Sequence, residues 1–180
     1  MRIGFAYRSI RGFSLIELFM SLAVASVLVG IALPSFQKMQ ERQRFVATQH
    51  GLMAGFHQAR TLAVTRGQPA AICPTTDGER CRSGGVWEDG WLVFVDTNRN
   101  DQRDAGEAVE RMQLDPSPAL RIRSSAQRPL AMFQPNGGSG ASNLSLRLCS
   151  EDGRLLGALV LNNTGRLRQA SPDAIGGGCG

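Results

Sequence analysis

Residues 12–34 read GFSLIELFMSLAVASVLVGIALP, and positions 13–33 within them form a 21-residue apolar run with one charge, Glu17. At about 1.5 Å per residue such a run spans roughly 30 Å as a helix, the thickness of a bilayer core. The leader before it, MRIGFAYRSIRG, carries Arg2, Arg8 and Arg11 and no acid. That asymmetry holds the N-terminus on the cytoplasmic side of a membrane. A secretory signal would be cut after the run, at a small-residue site such as Gly30-Ile31-Ala32. Two features oppose that reading. A carboxylate five residues into an apolar run costs energy and marks a function. Helix formers also continue past Pro34 into SFQKMQERQRF, so the helix leaves the membrane and keeps going.

The chain has 180 residues, enough for one sizeable domain. Apolar residues make up 42%, which supports a packed core and excludes wholesale disorder. The basic residues are 19 Arg and a single Lys, Lys38, and the formal charge of +5 is too small for a histone-like coat of nucleic acid. Two His and four Cys without a CxxC exclude the usual zinc-site spacing.

From Ser35 to Arg66 the pattern is helical. Phe45, Gln49, Leu52, Phe56, Ala59 and Ala63 recur every three to four residues, with Val46 and Met53 beside them. Glu41, Arg42, Gln58 and Arg60 read as the opposite, outward side. Gly51 and Gly55 weaken the helix locally, and Gly67 with Pro69 ends it. Beyond this point PAAIC (69–73), WLVFVD (91–96), EAVERMQL (107–114), ALRIRS (119–124), LAMF (130–133), LSLRLC (144–149) and LLGALVLN (155–162) read as short strands between turns. One long helix before a run of strands predicts an α+β fold, the helix packed on an antiparallel sheet.

Gly12-Phe13-Ser14-Leu15-Ile16-Glu17, with its basic leader and the apolar run ending at Pro34, resembles the type IV prepilin signature. The resemblance implies cleavage between Gly12 and Phe13 by a prepilin peptidase and N-methylation of Phe13. It also implies that Glu17 pairs with the N-terminal amine of a neighbouring subunit in a filament, and a buried carboxylate does need such a partner. Processing would leave 17 basic and 15 acidic residues. The order GWLVFVDTNRN, LAMFQPNGG, LSLRLC, GALVLNNTGRLR is similar to the head of the FimT/GspH family of minor pilins and pseudopilins. The implied organisation is a leader over 1–12, a transmembrane and filament-core helix over 13–34, an amphipathic helix half over 35–66 and a β-rich head over 67–180. The subunit would sit in the inner membrane as a single pass with its head in the periplasm, and then in a pilus or pseudopilus with other pilins.

Three sets of head residues are candidates for chemistry. Cys73, Cys81, Cys149 and Cys179 all follow the membrane run, in a compartment where disulfides persist. Four Cys allow three pairings, and Cys73–Cys81 with Cys149–Cys179 is favoured over the others. Asp96, Asn98, Asn100, Gln102, Asp104 and Glu107 occupy positions 1, 3, 5, 7, 9 and 12 of a twelve-residue loop, which is calcium-loop spacing, although Asp101 stands where glycine is usual. The competing reading is an Asx-turn loop between strands. Asn162-Asn163-Thr164-Gly165-Arg166-Leu167-Arg168 reads as the end of the last strand, with Arg166 and Arg168 on one face roughly 6.6 Å apart, near the spacing of successive phosphates. It resembles the Gly-Arg-x-Arg motif of FimT-type DNA-uptake pilins, with Gly165, Arg166 and Arg168 on the DNA phosphate backbone and Arg154 or Arg147 assisting. Otherwise those charges only protect an edge strand. Trp87 and Trp91 read as sheet packing and His50 and His57 as polar-face residues.

No nucleophile triad or phosphate loop is present in the sequence, so the expected role is non-enzymatic and no cofactor beyond calcium suggests itself. The leading reading is a minor pilin whose head binds DNA without sequence preference for uptake in natural transformation. The alternatives are a pseudopilin of type II secretion and a structural minor pilin that primes pilus assembly.

Overall fold

A computed structural model describes residues 14–116, 119–124, 127–140, 143–176 and 179. Gly12 and Phe13, the expected processing position, lie outside the described residues. Helix α1 spans Leu15–Arg66. The chain divides into two compact units, one up to Gln40 and one from Glu41 onward. In the first unit the apolar side chains from Leu15 to Leu33 are exposed. By length and composition α1 is the one helix among the described residues able to cross a membrane. Glu17 lies in its first turn, where a carboxylate is favoured by the helix dipole.

The second unit contains the rest of α1, eight strands and a short α2 (Pro172–Ile175). The strands are β1 (Ala70–Pro74), β2 (Gly90–Val95), β3 (Val109–Leu114), β4 (Leu120–Arg123), β5 (Ala131–Phe133), β6 (Leu144–Ser150), β7 (Leu155–Leu161) and β8 (Leu167–Ala170). They form two antiparallel sheets of four, in the orders β3-β2-β1-β5 and β4-β6-β7-β8. The single sheet expected from the strand run is therefore two.

The apolar stripe of α1 joins them. Leu52, Phe56, Ala59 and Ala63 are buried in one core cluster with Ile72, Trp91 and Val93 of the first sheet and Ile122, Leu146 and Leu159 of the second. Phe56 stacks on Trp87 with ring centroids 6.2 Å apart and meets Phe133 edge-on at 6.5 Å. Both tryptophans are fully buried, which fits packing and not a base-stacking role. Gly55 does more than weaken the helix, because a Cβ there would stand 2.8 Å from Ile72 Cδ1 and 3.2 Å from Trp91 Nε1. Its missing side chain lets α1 approach the first sheet closely.

The first sheet is covered on both sides. Ala70 and Ile72 face α1, whereas Ala71, Cys73, Leu92, Phe94 and Met132 form a second cluster on the far face. This explains why β1 and β2 are buried along their whole length instead of alternating. Cys73 is bonded to Cys81 at a Cα separation of 5.5 Å and Cys149 to Cys179 at 6.2 Å. In the chain-entropy model two such bridges stabilise by roughly 2.5 and 3.5 kcal/mol. Within the first bridge, Asp77 accepts hydrogen bonds from the Arg80 and Glu79 N–H groups, which hold its carboxyl below the ordinary range.

The last strand departs from expectation. Residues 162–168 are not the end of β7 but a hairpin turn followed by a separate edge strand, β8, which pairs with β7 through Leu161–Leu167 and Val160–Arg168. The sequence Asn-Asn-Thr-Gly reverses the chain there. Phe56→Ala tests the shared core: it empties the space between both sheets and α1 and is expected to cost about 3–5 kcal/mol, read as a lowered melting temperature.

Candidate nucleic-acid interface

Asn162 organises the turn that presents the arginines. Its Oδ1 accepts from Thr164 Oγ1 at 2.8 Å and from the Arg166 N–H at 2.9 Å. The Gly165 N–H donates to the Asn162 carbonyl at 2.9 Å, and the Asn162 N–H donates to the Arg166 carbonyl at 3.1 Å. This is a three-residue hairpin loop whose last residue must be left-handed, and Gly165 has φ 76°. A side chain at 165 would also run into the Gly137 carbonyl.

Leu167 packs against the core. Alternation then turns Arg166 and Arg168 to solvent, and both are exposed. Among the described residues, neither makes an ion pair with a carboxylate. Two unspent guanidiniums beside one another on an edge strand can each take a phosphate oxygen pair.

The structure does not bring Arg154 to this place. Arg154 precedes β7, whereas Arg166 follows it, so the strand's seven residues put roughly 20 Å between them. Arg154 Nη2 instead holds both oxygens of Glu41, at 3.0 and 2.9 Å. Beside it, the Ser150 hydroxyl and then the Arg154 N–H keep the Asp152 carboxyl below its ordinary range. Arg147 lies on β6 opposite Arg123 and Ala158, two strands away from β8. The site therefore narrows to Gly165, Arg166 and Arg168. Arg121 and Arg123 sit on β4, the opposite edge of the same sheet, and Arg123 pairs with Glu88.

Of the four residues read as outward on the helix only Arg42 is exposed, while Glu41, Gln58 and Arg60 are partly buried. Arg60 does not stand on the outward side but is half-buried, with its guanidinium against Gly137. The missing signal was tertiary: only the loop packed on α1 shows what covers that position.

The loop from Asp96 to Glu107 is closed by its own hydrogen bonds. Asp96 is fully buried at the end of β2, and its carboxylate accepts the N–H groups of Arg99 (2.7 Å), Asn100 (3.2 Å) and Asp101 (3.0 Å). Glu107 Oε1 accepts from the Thr97 N–H at 2.6 Å and Oγ1 at 3.0 Å, and its Oε2 accepts the Asp104 N–H at 3.1 Å. Asp104 Oδ2 accepts the side-chain amides of Asn98 and Asn100 at 2.6 and 2.8 Å. Asn100 Oδ1 takes the Gln102 N–H at 2.9 Å. Asp101 does adopt the left-handed backbone that a calcium loop needs at its sixth position, φ 58°. Yet the oxygens that would ligate an ion are aimed at N–H donors, and no group of three or more His, Cys, Asp or Glu side chains converges for a metal among the described residues. These hydrogen bonds are those of Asx-type turns, which the loop makes with its own backbone. Millimolar calcium is accordingly expected to leave the melting temperature unmoved, since an ion that bound only the folded loop at saturation would raise it.

Comparison with known proteins agrees with this architecture. Residues 49–165 match the family model described as type II transport protein GspH, a match that stops one residue before Arg166. The pilin-like protein PilA1 of Thermus thermophilus is 27% identical over 168 residues, covering 88% of this chain and 97% of that protein. The crystal structure of the type IV minor pilin FimU from Pseudomonas aeruginosa superposes with a TM-score of 0.60 at 17% identity, covering 77% of this chain and 97% of that one. A second crystal form gives 0.54. With a family match over most of its length, and a long N-terminal helix packed on antiparallel sheets as in FimU, the chain belongs to the GspH family and is a pilin-like subunit.

Proposed function

We propose that this subunit is a minor type IV pilin whose head holds double-stranded DNA by its phosphates during uptake. The observation that supports it is the pair Arg166, at the end of the β7–β8 turn, and Arg168, on β8, both exposed without a carboxylate partner among the described residues. The contacts carry no base readout, so binding is sequence-independent and weak, roughly 10⁻⁴–10⁻⁶ M. Several heads in one filament raise the avidity, and a weak single contact allows release of the cargo.

The anchoring follows the prepilin pattern. The peptidase cuts after Gly12, Phe13 becomes the methylated N-terminus, and the apolar part of α1 holds the subunit in the inner membrane with its head in the periplasm. There Glu17 waits for the amine of a neighbouring pilin. Mass spectrometry of the membrane fraction is expected to show methyl-Phe13 as the first residue; an intact leader or a start at Leu33 would refute the processing. Glu17→Ala should stay in the membrane yet enter filaments less, so an unchanged yield of sheared filaments removes the assembly role of that carboxylate.

The second reading, a pseudopilin of type II secretion, has the description of the matched family on its side. It requires no DNA contact. The two readings part on a binding measurement with the detergent-solubilised full chain. Replacing Arg166 and Arg168 with Ala is expected to weaken binding to all sequences alike and to remove about two units of the log–log salt slope. Lys at both positions should keep part of the affinity, because charge survives but the planar fork does not. Arg121 with Arg123 is the control pair, and an equal loss there would mean that bulk charge alone is responsible. A wild-type chain that does not shift DNA even at low salt leaves the secretion reading standing.

A further inference from the structure

Charge is divided unevenly along the head. Residues 67–115 carry ten Asp and Glu against five Arg, whereas residues 116–180 carry seven Arg against three acids. Three stretches lack acids altogether: 42–66 of α1, 116–150, and 153–172. All three meet at one place, the loop from Gln134 to Ser139.

That loop is tied to the β7–β8 turn on one side. The Ser139 N–H donates to the Asn163 carbonyl at 3.0 Å, and the Ser139 hydroxyl donates to the Asn162 carbonyl at 2.5 Å. The turn packs so closely that Gly165 has no room for a side chain against the Gly137 carbonyl. On the loop's other side stands α1. A Cβ on Gly137 would be 3.3 Å from Arg60 Nε, 3.4 Å from Nη2 and 3.5 Å from Val64. The loop itself is held by the Gln134 N–H on the Gly138 carbonyl and the Gly137 N–H on the Gln134 carbonyl, each at 2.8 Å. Arg60, Gly137 and the Gly165–Arg166 turn are thus consecutive layers of one rigid stack.

Arg60 is half-buried, yet makes no ion pair among the described residues. The same helix settles its other basic residue at this end differently, with Arg66 Nη1 on Glu110 at 2.6 Å. A guanidinium desolvated on one side by a glycine backbone and left without a carboxylate is poised for an external anion.

We infer that Arg60 is a third phosphate-binding residue of the DNA site, extending the Arg166–Arg168 pair across the loop onto α1. The inference rests on the DNA reading above and names a positioned cation that the Gly-Arg-x-Arg motif does not contain. Its ligand is a backbone phosphate next to those held by β8. The glycines at 137 and 165 let the helix, the loop and the hairpin pack in direct succession.

The test measures binding of the detergent-solubilised full chain to a short mixed-sequence duplex across a salt series. Arg60→Ala is expected to weaken binding roughly three- to tenfold at low salt and to lower the salt slope by about 0.9, without regard to sequence. Arg60→Lys should keep the slope. The melting temperature should not move, because the guanidinium has no carboxylate partner to lose. Should Arg60→Ala fold poorly, Arg60→Gln keeps the side chain's bulk while removing its charge and reads the same slope. Arg80→Ala, an equal charge change on the acidic half of the head, is the control and should bind as the wild type does. A wild-type slope in Arg60→Ala or Arg60→Gln beside a lowered slope in Arg166→Ala overturns the role of Arg60 alone. An equal loss in Arg80→Ala also overturns it, by showing a bulk charge effect. No binding by the wild type at any salt defeats the DNA reading and this inference together.

Discussion

Everything in the head depends on one helix face. Leu52, Phe56, Ala59 and Ala63 are the fully buried part of α1 in the core shared by both sheets, and Phe56 lies against Trp87 on one side and Phe133 on another. Neither four-stranded sheet closes on itself, so each needs an apolar cover. The helix supplies that cover to both, and Gly55 brings it near enough to Trp91 and Ile72 to do so. A chain that carries a membrane-type helix thus uses the continuation of that helix as the spine of its water-facing head.

The arrangement also explains how arginines can be displayed without being neutralised. The inner strands β1 and β2 of the first sheet are buried on both faces, and in the Asp96–Glu107 loop that follows β2 the carboxylates serve backbone N–H groups. The second sheet has one face in the core and an edge strand, β8, at its margin. With few acids in that half of the sequence, Arg166 and Arg168 make no ion pair among the described residues. An edge strand decorated with cations also resists pairing with another chain.

Much of this was legible in the sequence, and the failures have physical causes. The apolar run, the heptad-like stripe from Phe45 to Ala63 and the short strands between turns are periodic signals, and they locate α1 and β1 to β7 within a residue or two. The partition into two sheets was not legible, because strand order depends on tertiary packing and not on local pattern. β8 was read as a continuation of β7, since alternation of Arg166, Leu167 and Arg168 looks alike on either side of a tight turn. Asn162 and Gly165 carried the turn signal, but a four-residue Asn-Asn-Thr-Gly stretch competes with a long apolar run leading into it. Arg154 and Arg147 carry the right charge on neighbouring strands, but the length of β7 separates Arg154 from Arg166 and β7 itself lies between Arg147 and β8. Arg60 could not have been grouped with them at all, as 77 residues separate it from Gly137 and nothing local marks the contact.

The Cys149–Cys179 bridge has a mechanical side. It joins β6, an inner strand of its sheet, to the chain beyond α2, so β7 and β8 both lie within the loop it closes. An edge strand under tension peels from its neighbour one hydrogen-bonded pair at a time, which takes little force compared with shearing all pairs at once. A load hung on Arg166 and Arg168 would pull on such an edge. With the bridge in place, the slack that peeling can release is bounded by the closed loop, and further extension draws on β6 in the interior of the sheet. The edge strand that carries Arg168 therefore lies inside a loop closed covalently on an inner strand of its own sheet.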